Sequence, residues 1–331
     1  MNVRLDWVDQ ARGLAIFMVV WGHNFPSVEP YIYSFHVPLF FVIAGMFHPK
    51  KITKSTVIKR AKSILIPYFF WASALFVFWF VVGRKFGESS EISLDPKQNF
   101  IGIFYSQGGQ EFMDWGIPLW FLPCIFLVFL LFSALQLIKN KVLFYLSTLL
   151  VVACGFMWFP ITGIHLPWSI DVAMVAISFY VVGNIFRNQI VEIKKQHQYI
   201  ALVLFLILHV AAFYFNTEKI DMYRSIYGQP WLFYISGLFG ALFYMLLLKT
   251  IPILKFLSYL GKHTIVILAT HTRALTVIKL MFLLVFGTSF FEFNELEKIL
   301  LAVAQIVLLI PLIIIVNKYL PILDGKIKKT I

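Results

Sequence analysis

The chain has 331 residues, of which 60% are hydrophobic and 13% charged, at a mean hydropathy of +0.83. Soluble domains carry about 25% charged residues, so the composition excludes an ordinary water-soluble domain and points to an integral membrane protein. The formal net charge of +12 comes from Lys and Arg set between apolar segments, which suits topology bias and contact with anionic lipids and argues against a nucleic-acid partner.

A helix that crosses a bilayer takes about 20 apolar residues. Ten segments fit that description: 12–28, 35–49, 63–83, 117–138, 142–159, 168–187, 199–215, 230–248, 263–286 and 298–317. Asp6, Asp9 and Arg12 crowd the start of the first, and no small-residue cleavage site follows it, so it reads as a span rather than a signal peptide. The second is short and contains Pro38 and Gly45. It is expected to be kinked, or to enter from a bent loop, which is tolerated only where protein covers the backbone. Cys124 and Cys154 fall in apolar runs and form neither a disulfide framework nor a metal-ligand spacing, so no metal is expected. Repeats, low-complexity tracts and a separate soluble domain are all missing from the sequence. The fold class predicted is all-α: one integral-membrane domain over 1–331, a polytopic bundle of about ten transmembrane helices.

Lys and Arg set the orientation. With the N-terminus inside, 20 of the 28 fall in inner segments, including Lys50, Lys51, Lys54, Lys59, Arg60 and Lys62 in the first inner loop. Six fall in outer segments: Arg84, Lys85, Lys97, Lys219, Arg224 and Lys298. The bias predicts both termini in the cytoplasm. The outer segment 84–116 is the longest between spans and carries Glu88, Glu91, Asp95, Glu111 and Asp114.

Ionisable residues inside such spans are costly and by default mark function. Arg12 and His23 are eleven residues apart on the first segment. A helix turns that into three turns plus about 20°, so both lie on one face, about 16 Å apart along the axis. Asp9 precedes Arg12 by one turn on the same stripe. The unperturbed pKa of a histidine lies near physiological pH, so His23 suits a general base, while Arg12 suits a phosphate or an ion pair with Asp9. A snorkelling Arg and a histidine bonded to a neighbouring helix would look the same in sequence.

Further along, His36 stands at the outer end of the second segment, either lining the same cavity or satisfying backbone groups left open by Pro38. Lys59, Arg60 and Lys62 at the start of the third span suit a phosphorylated cytoplasmic ligand, or express topology bias alone. Trp120, in Pro118-Leu119-Trp120-Phe121, and Trp168, in Leu166-Pro167-Trp168-Ser169, belong either to a sugar-stacking site or to an interfacial belt. Asp171 reads as a charge placed at the positive end of its helix. His271 and Arg273 lie within the ninth apolar run and are expensive there unless they face a polar interior. His197 and His209 read as ordinary packing or loop residues.

These stretches, taken in order, resemble the acyltransferase 3 family of membrane acyltransferases, and most of all its fucose 4-O-acetylase-like branch. The resemblance rests on Trp7-Val-Asp9-Gln-Ala-Arg12-Gly13 with His23, on Phe35-His36-Val-Pro-Leu-Phe-Phe, and on Leu119-Trp120-Phe121-Leu122. It extends through Leu166-Pro-Trp-Ser-Ile-Asp171 to Gly183, and through Gly261-Lys-His-Thr-Ile to His271. It implies transfer of an acyl group from cytoplasmic acyl-coenzyme A to a hydroxyl, usually on a glycan, with the histidine at position 23 essential and the arginine at position 12 important. One departure concerns the arginine-x-x-arginine pair of many members. Here Arg60 is followed by Ser63 and Lys59 by Lys62, and lysine lacks the bidentate fork of arginine.

The expectation is therefore an O-acetyltransferase of a bacterial inner (plasma) membrane that moves an acetyl group from acetyl-CoA to a sugar hydroxyl of a cell-surface glycan or its lipid-linked precursor. His23, Arg12 and Asp9 would be catalytic. Arg12, Lys59, Arg60 and Lys62 would hold the coenzyme, and His36, Trp120, His271 and Arg273 the acceptor. Acyl-CoA, a glycan and membrane lipids are the partners expected, and self-association is left open. Two other classes remain: a glycan or solute transporter using the Arg12–His23 pair for gating, and a non-catalytic partner in glycan export.

Overall fold

The computed structural model describes residues 5–85, 89, 92–287 and 292–327. Its regular elements are helical, with no strand among the described residues. Among the described residues, eight helices are long and apolar enough to cross a membrane: those within Lys54–Lys85, Ile117–Leu135, Lys141–Thr162, Pro167–Ile185, Lys195–Phe215, Pro230–Thr250, Thr264–Val285 and Glu295–Tyr319. The protein is an all-α polytopic membrane bundle. The first two of the ten apolar segments make shorter helices, α1 (Asp6–Gly22) of 17 residues and α3 (His36–Met46) of 11. Between them lies the single-turn α2 (Glu29–Tyr33). An 11-residue helix is about 16 Å long, half of a hydrocarbon core of about 30 Å.

Over the described residues the chain gathers into two compact units. The first comprises Met1–Phe40, Ile193–Ile220 and Gly228–Asp324; the second comprises Phe41–Glu192, Asp221–Tyr227 and Gly325–Ile331. The chain passes from one to the other within α3.

In the first unit α1 is the inner element, packed by its neighbours α12 (Pro230–Thr250), α13 (Lys255–Gly261), α14 (Thr264–Phe286) and α15 (Glu295–Tyr319). Its buried face is rich in small residues, Ala11, Gly13, Ala15 and Gly22, which let other backbones approach. A Cβ on Gly13 would stand 1.8 Å from the Leu257 carbonyl oxygen, and one on Gly261 1.7 Å from the Asp9 carbonyl oxygen. Gln10, fully buried, donates to the Leu248 carbonyl at 2.9 Å and accepts from the Leu254 amide, so α1 also fastens the connection between α12 and α13.

The second unit repeats the device. Its inner helix is α9 (Ile170–Ile185), packed by α7 (Phe121–Leu135) and α8 (Lys141–Thr162). A Cβ on Gly45 would meet the Tyr180 carbonyl oxygen at 2.0 Å, and one on Gly183 the Val42 carbonyl oxygen at 2.0 Å. The short α10 (Arg187–Glu192) follows α9 in this unit. Exposed side chains suit lipid in each unit: Leu146 and Leu149 on α8 here, and Val203 and Ile207 on α11 (Lys195–Phe215) of the first unit.

Helix ends differ from the apolar runs in ways that move site residues. The first helix spans 6–22, not 12–28. Asp6 and Asp9 in its first turn complement the positive end of the dipole. Pro26 disfavours helix at the residue before it, and Phe25 turns into the left-handed region at φ 51°. His23 is therefore the C-cap of α1 rather than a mid-helix residue. The third span begins earlier than 63, as α4 (Lys54–Val81), because Thr53 caps it by accepting from the Thr56 amide at 3.2 Å. Lys59, Arg60 and Lys62 thus lie on a helix and not at its entrance. The described part of segment 84–116 holds α5 (Pro96–Tyr105), capped by Asp95, and α6 (Gln110–Met113), and Asp114 accepts from Trp79 Nε1 and Ser89 Oγ. Glu88 and Glu91 lie outside the described residues.

A histidine cluster in the first unit

The end of α1 brings His23 against α14. Its ring centroid lies 4.9 Å from that of His271, edge to face. His23 Nδ1 is 2.7 Å from the Val19 carbonyl oxygen, one turn back. A carbonyl can only accept, so Nδ1 carries the proton, and neutral His23 presents its lone pair at Nε2. His271 is fixed in the same way by the Ile267 and Leu268 carbonyls, each 3.0 Å from its Nδ1. His36 repeats the arrangement on Ile32 at 2.7 Å. Three imidazoles thus share one tautomer, each aiming an Nε2 acceptor away from its own helix backbone.

His271 is fully buried, and its Nε2 has no hydrogen-bond partner among the described residues. Leaving a buried acceptor unmet costs about 1–3 kcal/mol, so this atom calls for a donor from a ligand or solvent. Two amides stand beside the pair. Asn24 donates to Gln305 Oε1 at 3.1 Å and to the Lys298 carbonyl at 3.2 Å, and Gln305 donates to the His271 carbonyl at 3.4 Å. Gln305 and Asn24 are buried, so this network spans α1's end, α14 and α15 inside the unit.

Charge enters from α2. Glu29, buried, pairs with Lys219 Nζ at 2.8 Å, and both act electrostatically on His23. The Lys219 ammonium also sits 4.8 Å from the Tyr33 ring centroid, and Tyr33 lies 5.1 Å from His36. His23 and His36 are near enough to influence each other electrostatically. Arg273, half-buried two residues beyond His271, acts on it likewise. No set of three or more His, Cys, Asp or Glu among the described residues is arranged to hold a metal ion. The arrangement provides neutral proton acceptors beside a cation and a carboxylate, which is what proton transfer from a weakly acidic hydroxyl requires.

Among the residues singled out in the sequence, His23, His271, His36 and Arg273 belong to this first-unit cluster. Arg12, half-buried, and Asp9, buried, stand on α1 toward its other end, about 16 Å of helix from His23. Lys59, Arg60, Lys62, Trp120, Trp168 and Asp171 are in the second unit, and His197 and His209 are in the first. Lys59 and Lys62 are exposed on α4, whereas Arg60 turns inward. Its Nε is buried without a hydrogen-bond partner among the described residues, and its guanidinium lies 5.9 Å from the Phe129 ring centroid. His48 hydrogen-bonds Tyr180 at 2.8 Å and packs on Phe129 and Phe132, and Tyr180 acts electrostatically on Arg60. Trp120 is buried at the start of α7 against Phe121 and Tyr223.

Asn24, Glu29, Lys219 and Gln305 were not among the residues picked from sequence. Gln305 could have been: it is a polar residue in the middle of the apolar α15, and the rule that selected His271 applies to it. Glu29 and Lys219 are 190 positions apart and carry no local sign of their pairing.

Fold and composition together define a polytopic membrane protein that gathers titratable side chains inside a helical unit. The chain belongs to the acyltransferase 3 family: the family model described as acyltransferase domain matches residues 5–318. It is a membrane acyltransferase. No match was found among curated proteins, nor among solved structures.

Proposed function

We propose that the protein is an O-acetyltransferase that moves an acetyl group from acetyl-CoA to a sugar hydroxyl of a cell-surface glycan or its lipid-linked precursor, with His23 as the general base. The observation that supports this most is the fixed tautomer of His23, whose Nδ1–H is committed to Val19 and whose Nε2 is left to accept a proton beside His271. In the reaction, Nε2 takes the hydroxyl proton as the oxygen attacks the thioester carbonyl. A C–O bond forms, the C–S bond breaks, and the proton passes to the coenzyme A thiolate. His271 accepts a hydrogen bond that orients the acceptor. Glu29 favours the imidazolium that forms transiently, and Lys219 limits that effect. A general base of this kind supplies about 10² to 10⁴-fold. The remainder comes from holding thioester and hydroxyl in line.

Arg12 on α1, in the unit that carries His23, would meet coenzyme phosphates; Arg60 of the second unit, with exposed Lys59 and Lys62 beside it in sequence, is a separate candidate for the same role. The resemblance to the fucose 4-O-acetylase-like branch favours a sugar acceptor, and the charge bias favours a donor on the cytoplasmic side of the membrane, which we take to be a bacterial plasma membrane. The test is purified protein in detergent or vesicles with labelled acetyl-CoA and a panel of methyl glycosides. Acetylated glycoside and free coenzyme A are expected in equal amounts. A protein that binds neither compound and forms neither product contradicts the reading.

A further inference from the structure

We propose that the second unit carries a separate sugar-binding site in which His165, held by Asp171, accepts a hydrogen bond from a ring hydroxyl beside Trp168. Asp171 is fully buried, and its Oδ2 receives His165 Nδ1–H at 2.9 Å and Ser225 Oγ–H at 3.2 Å. Its Oδ1 receives the Leu166 amide at 3.4 Å. It is thus more than a charge at a helix start: it fixes one imidazole in one tautomer, with the lone pair on Nε2. The His165 ring is also clamped by its face, 4.0 Å from Phe159 at an interplanar angle of 11°. Nε2 has no partner among the described residues, and the side chain is 14% exposed, so a ligand can reach it.

Trp168, three residues on, is immobilised as well. Its indole N–H donates to the Phe104 carbonyl at 2.7 Å, and the next residue, Tyr105, donates its hydroxyl to the His165 carbonyl at 2.7 Å. Burial and the nearby Asp171 carboxylate push the Tyr105 phenol above its ordinary range, which keeps it a donor. Consecutive residues at the end of α5 therefore anchor both walls of the site. A fixed acceptor and a fixed indole, three residues apart and both tied to the end of α5, are the two groups that distinguish a sugar, with its hydroxyls at the edge and C–H groups on the face, from a purely polar or purely apolar ligand.

The backbone is strained here and almost nowhere else. Of the five described non-glycine residues with positive φ, four are Ser106 (49°), Trp168 (57°), Ser169 (52°) and Ser225 (55°). Left-handed backbone is unfavourable for such residues and persists where the surroundings over-determine it, a habit of ligand clamps. Ser169 Oγ, donating to the Ser106 carbonyl at 3.3 Å, ties two of the strained positions together.

The site is read by binding alone, without acyl donor, so it can fail while acyl transfer holds, and the reverse. Saturation-transfer difference NMR on the full chain in detergent would use the methyl glycosides of glucose, galactose, fucose and N-acetylglucosamine as probes. At least one is expected to bind the wild type. His165→Ala and Asp171→Asn are expected to weaken that binding at least tenfold, and His165→Gln, which keeps an acceptor, to recover part of it. Thermal melting separates loss of binding from loss of fold. If Asp171→Asn does not fold, Ser225→Ala and the His165 variants carry the test. No binding by wild type, undiminished binding by folded His165→Ala, or loss in His23→Ala without loss in His165→Ala would overturn the proposal.

Discussion

His23 acquires its chemistry from a single backbone contact. The Val19 carbonyl decides which ring nitrogen holds the proton, and so decides which nitrogen can take another. His271 has the same tautomer but lies wholly inside the unit with its Nε2 unmet, so its replacement removes an acceptor rather than a base. His271→Ala is expected to lower kcat/KM about tenfold, the scale of one hydrogen bond worth about 1.4 kcal/mol. A thiol-reactive dye that follows coenzyme A release measures it, and an unchanged kcat/KM would remove His271 from the site. Arg12→Lys is expected to raise KM for acetyl-CoA several-fold with kcat little altered, since lysine keeps the charge but loses the fork; equal Michaelis constants would contradict that role. At this scale the sequence was informative where burial is costly. His23, His271 and Arg273 announce themselves as ionisable residues in apolar runs. Asn24 and Gln305 meet across 281 positions, and no local pattern encodes such a meeting.

Helices are brought together here by glycine rather than by large side chains. Gly13 with Gly261, and Gly45 with Gly183, make two crossings in which each glycine faces the backbone carbonyl of the partner helix. Neither carbonyl can step aside, because it belongs to a hydrogen-bonded helix. Gly13→Ala and Gly45→Ala are each expected to destabilise by about 3 kcal/mol or more, above the usual range of overpacking, or to abolish folded protein. Gly163 is the comparison: it has φ 65° at the end of α8 but open space around it, so Gly163→Ala should cost only about 1–2 kcal/mol. Melting temperatures of the detergent-solubilised variants check the ranking, and a Gly13→Ala protein as stable as wild type would refute the close crossing. Most spans were legible from hydropathy, but their ends were not. Capping by Thr53, the acidic first turn of α1 and the proline at 26 set real boundaries, and those boundaries carried His23 from within a helix to its cap.

For the molecule as a whole, charge bias and helical composition agree on a membrane bundle, and the bias predicts which side each loop takes. In a background lacking Cys124 and Cys154, Lys51→Cys is expected to react with impermeant maleimide only from the cytoplasmic face, and Lys97→Cys only from the opposite face. Both residues are exposed, so the reagent's access reports topology and not packing. Reaction of the two from the same side would overturn the orientation. The two-unit organisation had no sign in the sequence, since each unit is assembled from distant stretches of the chain.

The central claim is that His23 is the base in acyl transfer. Its most direct test is coenzyme A release from acetyl-CoA by purified wild type and His23→Ala at matched folded concentration, with a glycoside acceptor present. His23→Ala is expected to retain acetyl-CoA binding while release falls about 10² to 10⁴-fold. Release that persists undiminished in His23→Ala would contradict it.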